Sequence, residues 1–152
     1  MIEINPIGYV RGGRTEPIDD DWGSVIATIE LDASQFGPDV LAGLADFSHV
    51  DVVYVFHLVE DEKIETAARH PRGREDWPRV GIFAQRAKGR PNRIGVTTCE
   101  IVNVDGLAIT VRGLDAIDGT PVIDLKPYMS DFAPRSEVRE PAWAKELMAG
   151  YW

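Results

Sequence analysis

Apolar and polar side chains alternate along much of this chain, and the pattern predicts β-strands. Residues 24–31 place an apolar side chain at every second position, the period of a half-buried strand. Residues 50–59 are β-branched and aromatic with few polar positions, which predicts a strand covered on both faces. Residues 80–84 and 94–104 have a similar character and predict two further strands.

A two-residue Asp-Gly turn within residues 104–107 predicts a β-hairpin between two apolar runs. The return strand would form its inner face from three apolar side chains: Leu107, Ile109 and Val111. Residues 121–128 predict one more strand, with Ile123 and Leu125 on the face opposite Asp124 and Lys126.

Helical patterns are few and short. Residues 39–45 predict one short helix, and the segment after Pro141 predicts a second, with Trp143, Leu147 and Met148 on one side. Six or seven strands without alternating long helices indicate a mainly β fold, a small closed or partly open β-barrel. We expect residues 1–152 to form one such domain, without a separate C-terminal domain.

Composition excludes some classes of protein. Apolar residues make up 44% of the chain and charged residues 27%, which excludes global disorder. The one cysteine, Cys99, excludes an intrachain disulfide and a CxxC metal site, and it favours a reducing, cytoplasmic location. The N-terminus lacks the features of a signal peptide, and no stretch reaches the roughly 20 apolar residues of a membrane span.

The net charge of −9 argues at first against nucleic-acid binding, but the charge is unevenly distributed. Residues 69–93 carry +6 and the rest of the chain carries −15, since only Glu75 and Asp76 oppose the cations of this window. The cations are Arg69, Arg72, Arg74, Arg79, Arg86, Lys88, Arg90 and Arg93. Trp77 and Phe83 lie among them, and cations beside aromatic rings are typical of a nucleic-acid or phosphate surface. The alternative is a solvated loop.

Familiar catalytic motifs are absent: the chain has no nucleophile elbow, HExxH, P-loop or GxGxxG after a strand. The three histidines are too irregularly spaced for a familiar metal motif, so we expect no metal site. His57 lies in an apolar run, either as a barrel-wall side chain with a satisfied hydrogen bond or as a ligand contact at the strand end. Cys99 is expected to be a small buried side chain and not a nucleophile.

Two segments are harder to explain as scaffold, residues 81–95 and residues 113–121. The second contains Asp115 and Asp118, three residues apart and leading into an Asp-Gly turn. These carboxylates could satisfy loop amides. They could instead bind an ammonium group or ribose hydroxyls while nearby arginines bind a carboxylate or phosphate, an arrangement suited to a zwitterionic ligand.

Four motifs in a fixed order resemble those of the TrmO/YaeB/TsaA-like family of S-adenosylmethionine-dependent tRNA methyltransferases. They are IGYVRGGRTEP (7–17), FSHVDVVYVFH (47–57), GIFAQRAKGRPNRIG (81–95) and LDAIDGTPVIDLKPY (114–128). The resemblance covers nearly the whole chain. One departure is RAKGRPNR, where the family has RSPxRPNP, so that Lys88 and Arg93 are gained.

The resemblance implies a β-barrel without a Rossmann fold that binds S-adenosylmethionine, needs no metal and forms a homodimer. It implies methylation of the exocyclic nitrogen of a threonylcarbamoyl-modified adenosine beside the tRNA anticodon. The alternatives are a cofactor-binding module without this activity and a methyltransferase acting on a substrate other than tRNA. Strand residues 54–56, with Trp143 and Trp152, are candidates for the dimer contact.

The resemblance also implies site residues. Those expected to bind the cofactor are His57, Arg86, Val96, Leu114, Asp115, Ala116, Ile117, Asp118, Gly119 and Thr120. Asp115 and Asp118 are the candidates for assisting proton transfer or for positioning the cofactor. The loop of residues 11–16 is expected to close over the methionine end. The residues expected to bind RNA are Lys88, Arg90 and Arg93.

Overall fold

Six antiparallel strands close into a barrel in the computed structural model, which describes residues 1–152. The chain's eight strands are β1 (Gly8–Arg11), β2 (Ile26–Leu31), β3 (His49–Val55), β4 (Ala68–Arg69), β5 (Val80–Gly81), β6 (Ile94–Asp105), β7 (Ala108–Arg112) and β8 (Pro121–Pro127). Around the barrel their order is β1, β2, β7, β6, β3 and β8, and β8 pairs again with β1. The short strands β4 and β5 form a separate two-stranded sheet. The prediction of a mainly β fold with a small barrel is confirmed.

The barrel interior is filled by the inward side chains of the strands. Val10, Ile29, Val52, Ile109 and Val122 have no exposed surface. They come from five different strands, because alternate side chains of every barrel strand point inward. One apolar core therefore holds the strands of the barrel together.

Cys99 belongs to this core and is 1% exposed. Burial, together with the negative charges of Asp115 and Asp51, raises the pKa of its thiol to about 12. The thiol is therefore neutral near pH 7 and is no nucleophile, as the sequence predicted.

The turn between β6 and β7 differs by one residue from the sequence prediction. Asp105 pairs with Ala108 across the β6–β7 hairpin, so the two turn residues are Gly106 and Leu107 and not Asp105 and Gly106. Gly106 has a φ of 58°, in the left-handed region that favours glycine. The hairpin itself is confirmed.

A β-bulge shifts the inner face of β8. Val53 pairs with Asp124 but its neighbour Tyr54 pairs with Val122, which leaves Ile123 without a partner opposite it. Val122 and Leu125 therefore pack on the core, and the predicted pairing of Ile123 with Leu125 on one face is wrong. Strict alternation could not reveal the extra residue.

The helix predicted over residues 39–45 is wrong. This segment forms turns followed by a short 3₁₀ helix at Leu44–Asp46, because Gly43 adopts a φ of 88° and ends any helical path before it. The predicted strand at residues 80–84 is reduced to β5, and Ile82–Ala84 is again 3₁₀. The second predicted helix is present as α1 (Ala142–Met148). No helix combines the length and apolar character that crossing a membrane requires.

Barrel closure depends on a close approach between β1 and β2 at Gly8. A Cβ atom added there would lie 2.2 Å from the backbone oxygen of Glu30. We expect Gly8→Ala to lower the free energy of unfolding by about 1–3 kcal/mol, the usual cost of overpacking. Urea denaturation measures this difference.

The matched control is Gly81→Ala on β5, where an added Cβ meets nothing within 4 Å and φ is not positive. Its effect is expected to stay within about 0.5 kcal/mol. Equal losses in both variants would show that strand spacing at Gly8 does not limit the fold.

Candidate functional site

A cavity of about 1630 Å³ lies at one end of the barrel. Because β3 and β6 are antiparallel, the end of β3 and the start of β6 meet there. Tyr54 and Phe56 come from the first of these, and Gly95 and Thr97 from the second. The loop of residues 85–92, the loop before β8 and residues 147–152 also contribute to the lining.

The Asp115 carboxylate lies at the centre of a hydrogen-bonded cluster at this cavity. Tyr54 Oη donates to Asp115 Oδ1 at 2.9 Å, and Thr97 Oγ1 donates to the same oxygen. Tyr151 Oη donates to Asp115 Oδ2. We call these four residues the Asp115 cluster. It joins β3, β6, the loop before β8 and the segment after α1.

A glycine makes room for the cluster. A Cβ atom on Gly95 would lie 2.7 Å from the Tyr54 ring and 2.9 Å from the Phe56 ring. The two rings pack edge to face with their centroids 5.3 Å apart. Glycine at position 95 therefore allows the Tyr54 ring to pack closely against β6 while its hydroxyl reaches Asp115.

Burial raises the pKa of Tyr54 and of Tyr151 well above the ordinary value of 10, and the negative charge of Asp115 raises both further. Both hydroxyls therefore remain protonated donors across the neutral range. Both oxygens of Asp115 are engaged by these donors and Thr97, which favours a positioning role for this carboxylate over proton transfer.

Asp118 lies apart from the cavity lining. Its carboxylate accepts a hydrogen bond from Gly12 N at 2.9 Å, and its own N–H donates to the Arg14 backbone oxygen at 2.7 Å. These bonds hold the loop before β8 against the loop that follows β1. No residue of 11–16 lines the cavity, and closure of this loop over the methionine end of the cofactor stays a prediction. The nearest part of the chain that lines the cavity is supplied by Pro17, Ile18, Asp19 and Trp22.

Arg86 lies at the cavity wall and donates from Nη2 to the Val96 backbone oxygen at 2.7 Å. Phe83 is 77% exposed beside it, with the Arg90 guanidinium 6.0 Å from the ring centroid. Arg90 also donates to the Gln85 backbone oxygen at 2.6 Å. The loop is therefore ordered by its own arginines while an aromatic face stays accessible.

The positive charge of the basic window, residues 69–93, is partly neutralised by acidic side chains that contact it in the fold. Three of its cations form ion pairs: Arg72 with Asp20 (3.0 Å), Arg74 with Asp76 (2.5 Å) and Arg93 with Asp61. Two of the acidic partners lie outside residues 69–93. Four cations of the window line the cavity besides Arg72: Arg69, Arg86, Lys88 and Arg90.

Trp77 is not a stacking surface, although it lies among the cations in the sequence. It is 4% exposed, and its indole N–H donates to Glu146 Oε2 at 2.7 Å. The Arg74 guanidinium covers its ring at 4.0 Å. This tryptophan anchors α1 to the basic window.

Most of the predicted site residues meet at the cavity. Those that line it are His57, Arg86, Val96, Asp115, Ala116, Ile117 and Thr120, with Lys88 and Arg90 from the predicted RNA surface. Leu114 has no exposed surface and belongs to the core, whereas Asp118, Gly119 and Arg93 are outside the lining. His57 follows the end of β3 and is exposed, so it is not a barrel-wall side chain.

Residues 15–133 match the model of the tRNA-methyltransferase O N-terminal domain. The chain belongs to this family. Membership confirms the resemblance drawn from the four sequence motifs, and the three motifs that follow residue 46 lie within the matched range.

Relatives of the tRNA-methyltransferase O family resemble the chain to different extents. A probable S-adenosyl-L-methionine-binding protein of Methanothermobacter thermautotrophicus is 37% identical over 132 residues, which cover 86% of this chain and 92% of that protein. The mouse tRNA (adenine(37)-N6)-methyltransferase is 40% identical over 92 residues, or 60% of this chain and 21% of that protein. The chain thus spans about a fifth of the length of the mouse and human enzymes.

The crystal structure of TrmO from Pseudomonas aeruginosa has the same fold. It superposes with a TM-score of 0.73 and 28% sequence identity, and the match covers 91% of this chain and 61% of that one. The barrel is therefore shared with a solved member of the tRNA-methyltransferase O family.

Sequence reasoning missed Tyr54, Thr97, Tyr151 and Trp152 as cavity residues. Tyr54 and Thr97 lie within strand patterns that predict only packing, and Tyr151 and Trp152 lie outside the matched residues 15–133. The one available signal was Tyr54 itself, since a phenol buried in a strand needs a hydrogen-bond partner.

The raised tyrosine pKa values predict alkaline sensitivity. Above pH 10 the unfolded chain loses phenolic protons that folded Tyr54 and Tyr151 retain, so the free energy of unfolding falls as pH rises. Each such proton contributes a slope of up to about 1.4 kcal/mol per pH unit. Tyr151→Phe is expected to make the fall between pH 10 and 11.5 shallower, as measured by urea denaturation at each pH.

The control is Tyr9→Phe on β1, an exposed tyrosine away from Asp115. Its slope between pH 10 and 11.5 is measured beside those of Tyr151→Phe and the parent protein. A Tyr151→Phe slope equal to that of the parent would show that this hydroxyl does not titrate differently on folding.

Proposed function

We propose that this chain is an S-adenosylmethionine-dependent methyltransferase that methylates the exocyclic nitrogen of a modified adenosine next to a tRNA anticodon. The observation that carries the proposal is the convergence of three distant motifs on one cavity: the end of β3, the loop of residues 85–92 and the loop before β8. The name of the mouse relative supports the tRNA substrate, and that of the Methanothermobacter relative supports the cofactor.

The residues present suit S-adenosylmethionine. This zwitterionic molecule needs an apolar wall for its adenine ring, a cation for its carboxylate and hydrogen-bonding groups for its ribose. The cavity has an apolar wall at Phe56, Ala116 and Ile117, and cations at Arg86 and Arg69. Its volume exceeds the roughly 300–1,000 Å³ of a pocket for one small ligand, which leaves room for a second nucleotide.

The bound cofactor would supply a methyl group already activated by a sulfonium sulfur. The chain's own residues then have to align the acceptor, exclude water and receive one proton. The apolar wall and the Asp115 cluster form a rigid surface for alignment, because both Asp115 oxygens are held by hydroxyl donors. Of the two candidate carboxylates, only Asp115 lines the cavity, so we favour it over Asp118 for a role at the site.

RNA binding is proposed for the cavity rim that carries Lys88 and Arg90 and the exposed ring of Phe83. The proposal assigns Arg93 a smaller part, because Asp61 neutralises it. The strongly acidic remainder of the chain would repel RNA elsewhere and so favour binding at this rim.

The double variant Lys88→Glu/Arg90→Glu tests the RNA surface. We expect at least a tenfold loss of affinity for an anticodon-arm RNA, because two phosphate-binding charges are reversed. Affinity for S-adenosylmethionine is expected to stay within about twofold. Fluorescence anisotropy with labelled RNA and titration calorimetry with the cofactor measure the two constants.

Arg135→Glu is the matched control, since Arg135 is exposed and outside the cavity lining. Lys88→Glu alone avoids disturbing the bond from Arg90 to Gln85. Equal losses of RNA and cofactor affinity would mean that the rim belongs to the cofactor pocket, which contradicts the RNA assignment.

A cofactor-binding module without methyl transfer is the second candidate, favoured by the Methanothermobacter relative, of which this chain covers 92%. The two candidates differ in one measurement. Methyl transfer from labelled S-adenosylmethionine to tRNA, followed by mass spectrometry of the nucleosides, is expected from the enzyme. A protein that binds the cofactor and yields no methylated nucleoside would be the binding module.

Two further parts of the proposal are a homodimeric state and a cytoplasmic location. The expected strand contact needs revision, because Tyr54 is 1% exposed and cannot contact another copy. Leu58, at 61% exposure beside the cavity, is a better candidate. Light scattering of the full chain is expected to give twice the 16.8 kDa mass; a monomer that binds the cofactor would contradict a shared site.

A further inference from the structure

Residues 142–152 lie outside the family match of residues 15–133 but form one wall of the cavity. They begin with α1 and continue through a turn at residues 149–151, which lies beside residues 21–23. Asp21 N donates to the Gly150 backbone oxygen at 3.0 Å, and Trp22 N donates to that of Tyr151 at 2.9 Å. These two bonds fix the backbone of the turn.

Close packing and side-chain bonds hold the same segment. A Cβ atom on Gly23 would lie 2.9 Å from the Trp152 carbonyl carbon, so the two backbones are in direct contact. The Tyr151 hydroxyl donates to Asp115, and Glu146 accepts the indole N–H of Trp77. The segment is therefore attached to the barrel, the residues 21–23 stretch and the basic window.

Trp152 is the side chain that this attachment presents to the cavity. It lines the cavity and is 54% exposed, although its backbone is fixed. Its ring packs edge to face on Tyr151, with centroids 4.8 Å apart and planes at 88°. An indole braced on one side and open on the other is a surface on which a planar ring can stack with little loss of side-chain entropy.

We propose that Trp152 is a stacking platform for a purine ring bound in the cavity. A purine ring is common to the adenosyl group of the methyl donor and to the adenosine of the RNA. The cavity also holds the unpaired cations Arg86 and Lys88 for the anionic groups that accompany such a ring. The inference rests on the proposed function and adds to it a residue that the family's matched region does not contain.

Trp152→Ala and Trp152→Phe test the platform. Trp152→Ala is expected to weaken one purine ligand by about 5- to 100-fold, the range for loss of one aromatic–base stack, whereas Trp152→Phe retains most of the affinity. Calorimetry with S-adenosylmethionine and anisotropy with an anticodon-arm RNA are run on each variant. A loss confined to the first ligand identifies the adenosyl ring, and a loss confined to the second identifies an RNA base.

The controls separate stacking from simple support of the fold. Phe132→Ala removes an aromatic side chain that is 82% exposed and outside the cavity, and it is expected to change neither affinity. Tyr151→Phe removes the hydrogen bond to Asp115 but keeps the aromatic rings at positions 151 and 152. The change in its melting temperature therefore measures how much this bond stabilises the attachment of residues 142–152. The purine ligand is also expected to quench tryptophan fluorescence in the parent protein more than in Trp152→Phe.

Two results would overturn the platform. One is unchanged affinity of Trp152→Ala for both ligands when the parent protein binds them. The other is equal loss in Trp152→Ala and Trp152→Phe with unchanged quenching, which would indicate a packing role. A parent protein that binds neither S-adenosylmethionine nor RNA would refute the proposed function itself, and the platform with it.

Discussion

The Asp115 carboxylate is the interaction on which the site depends. A buried or half-buried carboxylate is stable only when donors replace its lost water, and here hydroxyls from β3, β6 and the segment after α1 do so. Each of these three elements supplies a different wall of the cavity. Loss of the carboxylate would leave three hydroxyls without their acceptor and remove one of the bonds that attach the segment carrying Trp152. The hydrogen bonds to Asp115 therefore contribute both to the shape of the cavity and to the position of Tyr151 and Trp152 in its wall.

Ion pairs also determine where the positive charge of residues 69–93 remains available. Along the chain, residues 69–93 are strongly basic, but Asp20 and Asp61 reach them from elsewhere in the fold and neutralise Arg72 and Arg93. The arginines that stay at the cavity also bond to backbone oxygens of their own region, as Arg86 does to Val96. The positive charge is thus concentrated at the cavity rim, where an anionic partner would gain most from it.

Errors in the sequence predictions have local physical causes. The Ile123 bulge changes which side chains of β8 face inward, and alternation alone gives no sign of an inserted residue. Gly43 ends a helical pattern that its apolar neighbours favour. Trp77 lies among cations in the sequence but points inward, because Glu146 accepts its N–H from a helix 69 residues away. Burial of an aromatic side chain depends on partners that a sequence window does not contain.

The sequence by itself determined the barrel class, the family and most of the cavity-lining motifs. The alternation of apolar and polar positions follows directly from which side chains of a strand are buried. The motifs at residues 81–95 and 114–128 are each continuous in the sequence, so both kinds of pattern are visible without the fold. Only the tertiary structure decided that Leu114 is core, that Asp118 serves a neighbouring loop and that Tyr151 and Trp152 reach the cavity. Tyr151 is bonded to Asp115, 36 positions away, and Asp118 is bonded to Gly12, 106 positions away. Partners so distant are brought together by barrel closure, which no local pattern encodes.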